Sequence, residues 1–105
     1  MTACIVYVTA SNDEEAKMIG QALVAERLVT CANILPGMTA IYRWEGTVQQ
    51  DSEVSLLLKT TDAHLEAVTA RVTSLHSYDC PCVVSWPIAG GSVDFIRWIE
   101  SETSS

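Results

Sequence analysis

The sequence is short of basic residues. Its 105 residues include 6 Lys and Arg against 13 Asp and Glu, which gives a formal net charge of −7 and an isoelectric point near 4.5. Because a nucleic-acid-binding surface must neutralise phosphates with Lys and Arg, this balance argues against DNA or RNA as a partner. A solvated acidic surface is the ordinary explanation of the charge, and attraction of cations is the functional one.

Long hydrophobic runs are also missing. No segment approaches the roughly 18 apolar residues of a membrane-spanning helix. The apolar stretch after Met1 lacks the basic region that opens a signal peptide. No repeat, linker or low-complexity tract divides the chain. These features predict a single domain over residues 1–105, located in the cytoplasm and without a membrane partner.

Recognisable catalytic motifs are absent as well. The sequence contains neither a glycine-rich phosphate loop nor a serine–histidine–aspartate signature, so an enzyme is the least supported class. The four cysteines fit neither a zinc ribbon nor a C-x-x-C redox pair, because Cys80 and Cys82 form a C-x-C. In a cytoplasmic chain, such cysteines are expected to be free thiols.

The most informative stretch that is present is a long hairpin over residues 39–60. The β-branched and aromatic residues 41–44 predict a strand. Glu45 and Gly46 predict a tight turn, because glycine tolerates the positive φ that a two-residue hairpin requires. The return arm, residues 47–60, would extend to roughly 45 Å, beyond the roughly 33 Å diameter expected of this chain. The hairpin is therefore predicted to overhang its domain and to invite pairing with another copy.

The other elements follow from hydrophobic periodicity and cap residues. In chain order, the sequence predicts a strand over residues 4–9, a helix over 13–27, a strand over 31–35 that bends at Pro36 and Gly37, a helix from a cap at Asp62 through His76, a strand over 83–87, and a helix over 93–100 capped by Ser92. The order β-α-β-β-α-β with a long central hairpin and a C-terminal helix predicts an α+β, ferredoxin-like fold. This fold hosts many functions, so it does not decide one.

The loop after the second helix is the first candidate site. His76, Asp79, Cys80 and Cys82 lie within seven residues, and these donors suit a soft or borderline metal ion. The alternative is a polar loop in which His76 interacts with the dipole at the helix end. The irregular spacing of the donors favours this alternative.

Two further candidates are Cys31 and the side chains around the hairpin. A lone Cys31 on a strand is more often a small buried hydrophobe than a nucleophile. Tyr42, Arg43, Trp44 and Lys59 could form an aromatic and cationic pocket for a small anion. Packing between subunits is the simpler explanation, because Trp, Tyr and Arg concentrate at interfaces.

Several short segments together resemble the CutA1 divalent-cation tolerance family. They are Thr9-Ala10, Glu26-Arg27-Leu28, Cys31-Ala32-Asn33-Ile34, the run 41–46, Glu53 through Lys59-Thr60, and His76 with Tyr78 and Pro81. The resemblance covers roughly residues 5–99. It implies a cytoplasmic, ferredoxin-like homotrimer, similar in architecture to the PII signalling proteins and associated with tolerance to copper and other divalent ions.

The resemblance also implies a copper site that this sequence retains only in part. The family site uses a Cys just before the Thr-Ala pair and two consecutive histidines, and this chain has Val8 at the first position and Leu75 before His76. Cys80 and Cys82 could act as substitute thiolate ligands, which would shift the preference toward Cu(I). The expected metal ligands are therefore His76, Cys80 and Cys82.

The family's recurrent polar positions further imply a ligand pocket near a subunit boundary, formed by Cys31, Trp44, Lys59 and Tyr78. We therefore expect a non-enzymatic homotrimer of metal homeostasis that binds copper or another divalent metal ion weakly. Two alternatives stay open. One is a PII-like signalling trimer that binds a small anion through Lys59, Arg43 and Trp44, and the other is a scaffold whose activity is assembly alone.

Overall fold

A computed structural model describes residues 1–103 of the chain. The elements are β1 (Ala3–Ala10), α1 (Asp13–Ala25), β2 (Cys31–Trp44), β3 (Thr47–Thr61), a 3₁₀ turn (Asp62–His64), α2 (Leu65–Leu75), β4 (Val83–Pro87) and α3 (Val93–Glu102). Their order confirms the predicted α+β, ferredoxin-like arrangement with a long central hairpin and a C-terminal helix. Among residues 1–103, no helix is long and apolar enough to cross a membrane.

The sheet has four antiparallel strands in the order β2-β3-β1-β4. One face is covered by α1 and α2, whose buried side chains join alternate side chains of β1 and β3 in one core. The fully buried members of this core include Val6, Val8, Ile19, Leu23, Leu56, Leu58, Val68 and Val72. The other face of the sheet, which we call the open face, carries the intervening side chains.

Local chemistry explains where α1 begins and ends. The Asn12 side chain accepts a hydrogen bond of 2.8 Å from the backbone N–H of Glu15, as an N-cap residue should. The helix stops at Ala25, earlier than the predicted end at Arg27, because Arg27 adopts a positive φ of 61° that turns the chain out of the helix.

The prediction that Asp62 caps the second helix is wrong. Residues 62–64 form the 3₁₀ turn, and Asp62 Oδ1 instead accepts a 2.9 Å hydrogen bond from the backbone N–H of Thr2. The helix α2 starts at Leu65 and ends at Leu75, one residue before the predicted end at His76. By contrast, the Ser92 hydroxyl accepts a 3.3 Å bond from the Phe95 N–H, which confirms the predicted cap of α3.

The hairpin turn uses two consecutive residues with positive φ, Glu45 at 48° and Gly46 at 81°. This pair is typical of the type I′ turn that matches the twist of the flanking strands. The strand β1 stops pairing with β3 at Val54. Beyond that point, among the described residues, β2 and β3 pair only with each other. We call residues 38–53 the overhang, and it lengthens the molecule to 44 Å against 25 and 22 Å in the other directions.

The strand β2 contains a bulge at Pro36 and Gly37. Leu35 pairs with Ser55 and Met38 pairs with Glu53, so two residues of β2 lie opposite the single residue Val54 of β3. Gly37 has a φ of 78°, which glycine adopts without strain. The predicted bend is therefore a bulge inside one continuous strand.

Candidate functional site

The loop between α2 and β4 meets the overhang at a depression of about 480 Å³. The residues that line it are Thr9, Tyr42, Trp44, Glu53, Ser77, Tyr78, Asp79, Cys80 and Cys82. Of the residues expected to bind a metal or a ligand, the structure thus brings together Trp44, Tyr78, Cys80 and Cys82. His76, Cys31 and Lys59 are not among its lining residues.

His76 lies behind the depression and fixes the loop to the sheet. Its side chain is 0% exposed, and Nε2 lies 2.7 Å from the carbonyl oxygen of Thr9. Its Nδ1 accepts a 3.1 Å hydrogen bond from the backbone N–H of Tyr78. These partners assign the proton to Nε2 and leave both ring nitrogens occupied. A metal ion could bind His76 only after one of these bonds breaks, so its role as a ligand stays a prediction.

Glu15 ties the same loop to the start of α1. Its Oε1 accepts bonds from the Ser11 N–H at 3.0 Å and the Ser11 hydroxyl at 2.9 Å, and its Oε2 accepts a 2.8 Å bond from the Ser77 N–H. Burial opposes ionisation, but the hydrogen bonds from Ser11 and Ser77 outweigh it and lower the pKa of Glu15 to about 2. The carboxylate is therefore charged, and holds the loop, throughout the ordinary pH range.

Tyr78 joins the loop to the overhang. Its hydroxyl donates a 2.8 Å hydrogen bond to Glu53 Oε2, and its ring lies 4.6 Å from that of His76. Burial and the bond to Glu53 raise the pKa of Tyr78 well above its usual value, so the hydroxyl remains a donor. On the overhang itself, the Tyr42 hydroxyl donates to a carboxylate oxygen of Asp51. Both rings are thus held by carboxylates at the edge of the depression.

The two cysteines of the depression are free thiols in different surroundings. Cys80 is exposed and Cys82 is half-buried. Burial, with the nearby charge of Glu53, raises the pKa of Cys82. Glu53 and Asp79 make the depression negative, and none of its described lining residues is Lys or Arg. This electrostatic character favours a cation over an anion.

The number of possible metal donors at one point is small. In the part of the chain that the structure describes, no group of three or more His, Cys, Asp or Glu side chains could hold a metal ion. Structural zinc sites use four such ligands. Cys80 and Cys82 are the two thiol donors of the depression, and their role as metal ligands stays a prediction.

Cys31 and Lys59 lie elsewhere, paired with each other where the β2–β3 ladder begins. The ammonium of Lys59 donates to the side-chain oxygen of Asn33. Glu53 is six residues further along β3, about 20 Å away at ~3.3 Å per residue. Within one chain, the expected pocket of Cys31, Trp44, Lys59 and Tyr78 is split between these two places. A cleft shared by all four would need a second copy and stays a prediction.

Sequence reasoning did not find Glu15 or Glu53 as members of the site. An acidic residue in the first turn of a helix is usually explained by the helix dipole, which hides the second role of Glu15. Glu53 leaves a clearer signal, because it is the charged residue at which the apolar part of β3 begins. Thr9 contributes its backbone carbonyl, for which no side-chain pattern exists.

Comparison with known proteins agrees with the geometry over almost the whole chain. Residues 4–102 match the model of a family described as CutA1 divalent ion tolerance protein. The chain is 43% identical over 99 residues to "Protein CutA, chloroplastic" of Arabidopsis thaliana, covering 94% of this chain and 54% of that protein. It is also 43% identical over 99 residues to the divalent-cation tolerance protein CutA of Thermus thermophilus, covering 94% of this chain and 96% of that protein.

Solved structures agree as well. The crystal structure of CutA1 from Oryza sativa has a TM-score of 0.96 at 38% identity, over 99% of this chain and 95% of that chain. The chain spans about half the length of the curated plant relatives it matches, but nearly all of the Thermus protein. On this sequence and structural similarity, the chain belongs to the CutA1 divalent ion tolerance family.

Proposed function

We propose that this chain is a non-enzymatic metal-tolerance protein, a cytoplasmic homotrimer that binds copper weakly, as Cu(I), through Cys80 and Cys82. One observation carries the metal proposal: two free thiols border a depression that also holds two carboxylates and, among its described lining residues, no Lys or Arg. Thiolates select soft ions such as Cu(I), and the surrounding negative charge attracts any cation.

The donor set determines which metal fits and how tightly. Two thiolates can complete a low-coordinate Cu(I) site, whereas Zn²⁺ requires about four ligands and Ca²⁺ or Mg²⁺ require oxygen. His76 would become a third ligand only by giving up its bond to Thr9 or to Tyr78. Because burial raises the pKa of Cys82, binding must also displace a proton, which weakens it at neutral pH.

The exposed apolar side chains of the overhang support the homotrimer. Ile41 and Val48 are each 67% exposed and Trp44 is 57% exposed, although the two strands are well formed. The open face adds Val84 and Trp86 of β4, which are also exposed. The register places Ile41 and Val48 on one face of the ribbon and Trp44 on the other, so both faces carry exposed apolar side chains, which mark interaction surfaces. Three copies related by a closed rotation axis would cover them.

A Cu(I) titration tests the metal proposal. The reduced protein would compete for Cu(I) with a coloured chelator, and the Cys80→Ser, Cys82→Ser double variant would be measured beside it. The expected result is loss of competition in the double variant. Cys31→Ser is the matched control, because that thiol lies at the far end of the hairpin, and it should compete as the wild type does. Equal affinity in the wild type and the double variant would contradict the proposal.

Sedimentation tests the assembly. We expect a trimer at micromolar concentration, and a monomer there would contradict the homotrimer. A trimer that fails to compete for Cu(I) would instead support the scaffold alternative.

A further inference from the structure

We infer that Cys80 and Cys82 are a redox pair, which closes to a reversible disulfide across Pro81 by exchange with a small disulfide such as oxidised glutathione. The bond would switch off the metal site, and this consequence rests on the proposed function. The disulfide itself does not, because it needs no metal.

The spacing allows the bond. Two residues separated by one other have Cα atoms at most about 7 Å apart, and disulfides span Cα distances of about 4.4–6.8 Å. Both cysteines line the same depression and both are free. They also lie outside the helices and strands, because β4 begins only at Val83. A small adjustment of the loop would therefore bring the sulfurs together without disturbing the sheet.

The surroundings of the two thiols differ in the way that a two-step exchange requires. Cys80 is exposed, so a dissolved disulfide reaches its sulfur first. Cys82 is half-buried, so reagents in solution reach its sulfur more slowly. Once Cys80 carries the mixed disulfide, however, the sulfur of Cys82 is its neighbour. Cys80 is thus the attacking thiol and Cys82 the resolving thiol.

The other two cysteines are placed where they cannot compete. Cys4 is buried in β1, and burial raises its pKa. Cys31 pairs with Lys59 at the opposite end of the hairpin, about 20 Å from Glu53 along β3. An intramolecular disulfide is therefore expected at one position only.

The exchange balances without any further reagent. The Cys80 thiolate attacks one sulfur of oxidised glutathione, forming a mixed disulfide and releasing one glutathione thiolate. The Cys82 thiolate then attacks the Cys80 sulfur and releases the second glutathione. Two protein thiols are oxidised, one glutathione disulfide is reduced, and the two protons from the cysteines end on two glutathione thiols. Excess reduced glutathione reverses both steps.

Mass spectrometry of the full chain at fixed ratios of reduced to oxidised glutathione tests the inference in the absence of metal. After alkylation of the remaining thiols, cleavage at Arg71 and Arg97 yields one peptide, residues 72–97, that holds both cysteines. In oxidising buffer we expect this peptide to lose two hydrogen atoms and both alkyl groups, with at least ~10-fold less alkylation than in reducing buffer. Cys4 should remain a thiol.

Two single variants separate the steps. Cys82→Ser should accumulate glutathione on Cys80, and Cys80→Ser should carry at least ~10-fold less adduct. A stable glutathione adduct on wild-type Cys80, a disulfide between two chains, or full alkylation at every ratio would each overturn the inference. A Cu(I) titration of the reduced and oxidised forms then separates it from the proposed function. If the disulfide forms but the reduced form binds no Cu(I), the proposed function fails and the redox pair stands. Equal Cu(I) affinity of both forms overturns the switch.

Discussion

The two halves of β3 belong to one strand and pair with one partner, yet they have opposite surroundings. From Val54 to Thr61, six of the eight residues are buried, and Leu56 and Leu58 have no exposed surface. From Thr47 to Ser52, every residue is exposed. The hydrogen-bonded ladder with β2 continues through both halves. Hydrogen bonding to β2 therefore sets the length of β3, whereas β1 and the helices determine which of its side chains are buried.

The difference shows what each half depends on. The inner half has β1 beside it and two helices over it, so its apolar side chains are covered by the chain itself. The overhang is a two-stranded ribbon, which is marginally stable alone in water. Its Ile41, Trp44 and Val48 are exposed, so the chain itself does not cover them. The same strand thus serves the monomer at one end and, on the proposal above, the assembly at the other.

The largest effect should come from the inner half. Leu58→Ala removes a fully buried side chain from the core and should lower the free energy of unfolding by about 3 kcal/mol. Gln50→Ala, at an exposed position on the outer half of the same strand, should change it by less than about 0.5 kcal/mol. Urea denaturation at one fixed protein concentration measures both. Similar changes in the free energy of unfolding for the two variants would show that the two halves of β3 do not differ in burial as described.

Trp44→Ala should weaken self-association and leave the fold of the single chain intact. Truncation of an aromatic side chain at an interface often costs about 2 kcal/mol or more, which is roughly a 30-fold weaker self-association. The circular dichroism spectrum should be unchanged, because the ring is 57% exposed within one chain. Sedimentation over a concentration series measures the effect. An unchanged association constant would show that this part of the overhang is not covered by another copy.

Glu15→Gln should loosen the loop between α2 and β4, which contacts both the start of α1 and the overhang. We expect the free energy of unfolding to fall by about 1–2 kcal/mol. The pKa of about 2 in the folded protein lies below the usual value of 4.5, so the carboxylate's contribution to stability is present above pH 4.5 and declines as the pH falls toward 2. Unfolding measured across that interval should be less pH-dependent in the variant than in the wild type.

The matched control is Glu14→Gln, because it removes the same charge from the same helical turn without touching Ser11 or Ser77. It should keep the wild-type pH dependence. An identical pH response in both variants would mean that the helix N-terminus, not the loop, accounts for the stabilisation.

The smallest effect is expected at the tip of the overhang. Gly46→Ala places a side chain at a φ of 81° and should cost about 1 kcal/mol, although its Cβ would meet no atom within 4 Å. Gly90→Ala also enters open space, but outside the positive-φ region, and should be nearly neutral. The difference in thermal stability between the two variants measures the cost of placing alanine at a positive φ. A neutral Gly46→Ala would indicate that the turn relaxes to another type.

The features that the sequence predicted correctly are those that depend on local patterns. Alternation, β-branched residues and the turn at Glu45 and Gly46 predicted the hairpin, and helical spacing predicted the three helices. The failed prediction at Asp62 has a non-local cause: its carboxylate accepts a bond from Thr2, sixty residues away. No local signal distinguishes such a carboxylate from a helix cap.

The site was less predictable for the same reason. Similarity to a family placed Trp44 and Tyr78 in one pocket, and the structure brings both to the depression. The burial of His76 against Thr9, however, joins residues 67 positions apart. The bond between Glu15 and Ser77 spans 62 positions. These contacts depend on how α1 and α2 lie on the sheet, which is a property of the packed fold.

The bulge in β2 determines on which side of the ribbon the aromatic rings lie. Side chains of a regular strand alternate, so Leu35 and Met38, three positions apart, would point to opposite faces. The extra residue cancels that alternation, because Leu35 pairs with Ser55 and Met38 with Glu53, two positions apart on β3. The residues of β2 beyond the bulge alternate regularly from Met38, so Tyr42 and Trp44 lie on the same face as Met38. A β2 of the same length without the bulge would pair one residue out of register and would turn both rings to the opposite side, away from Glu53 and the loop.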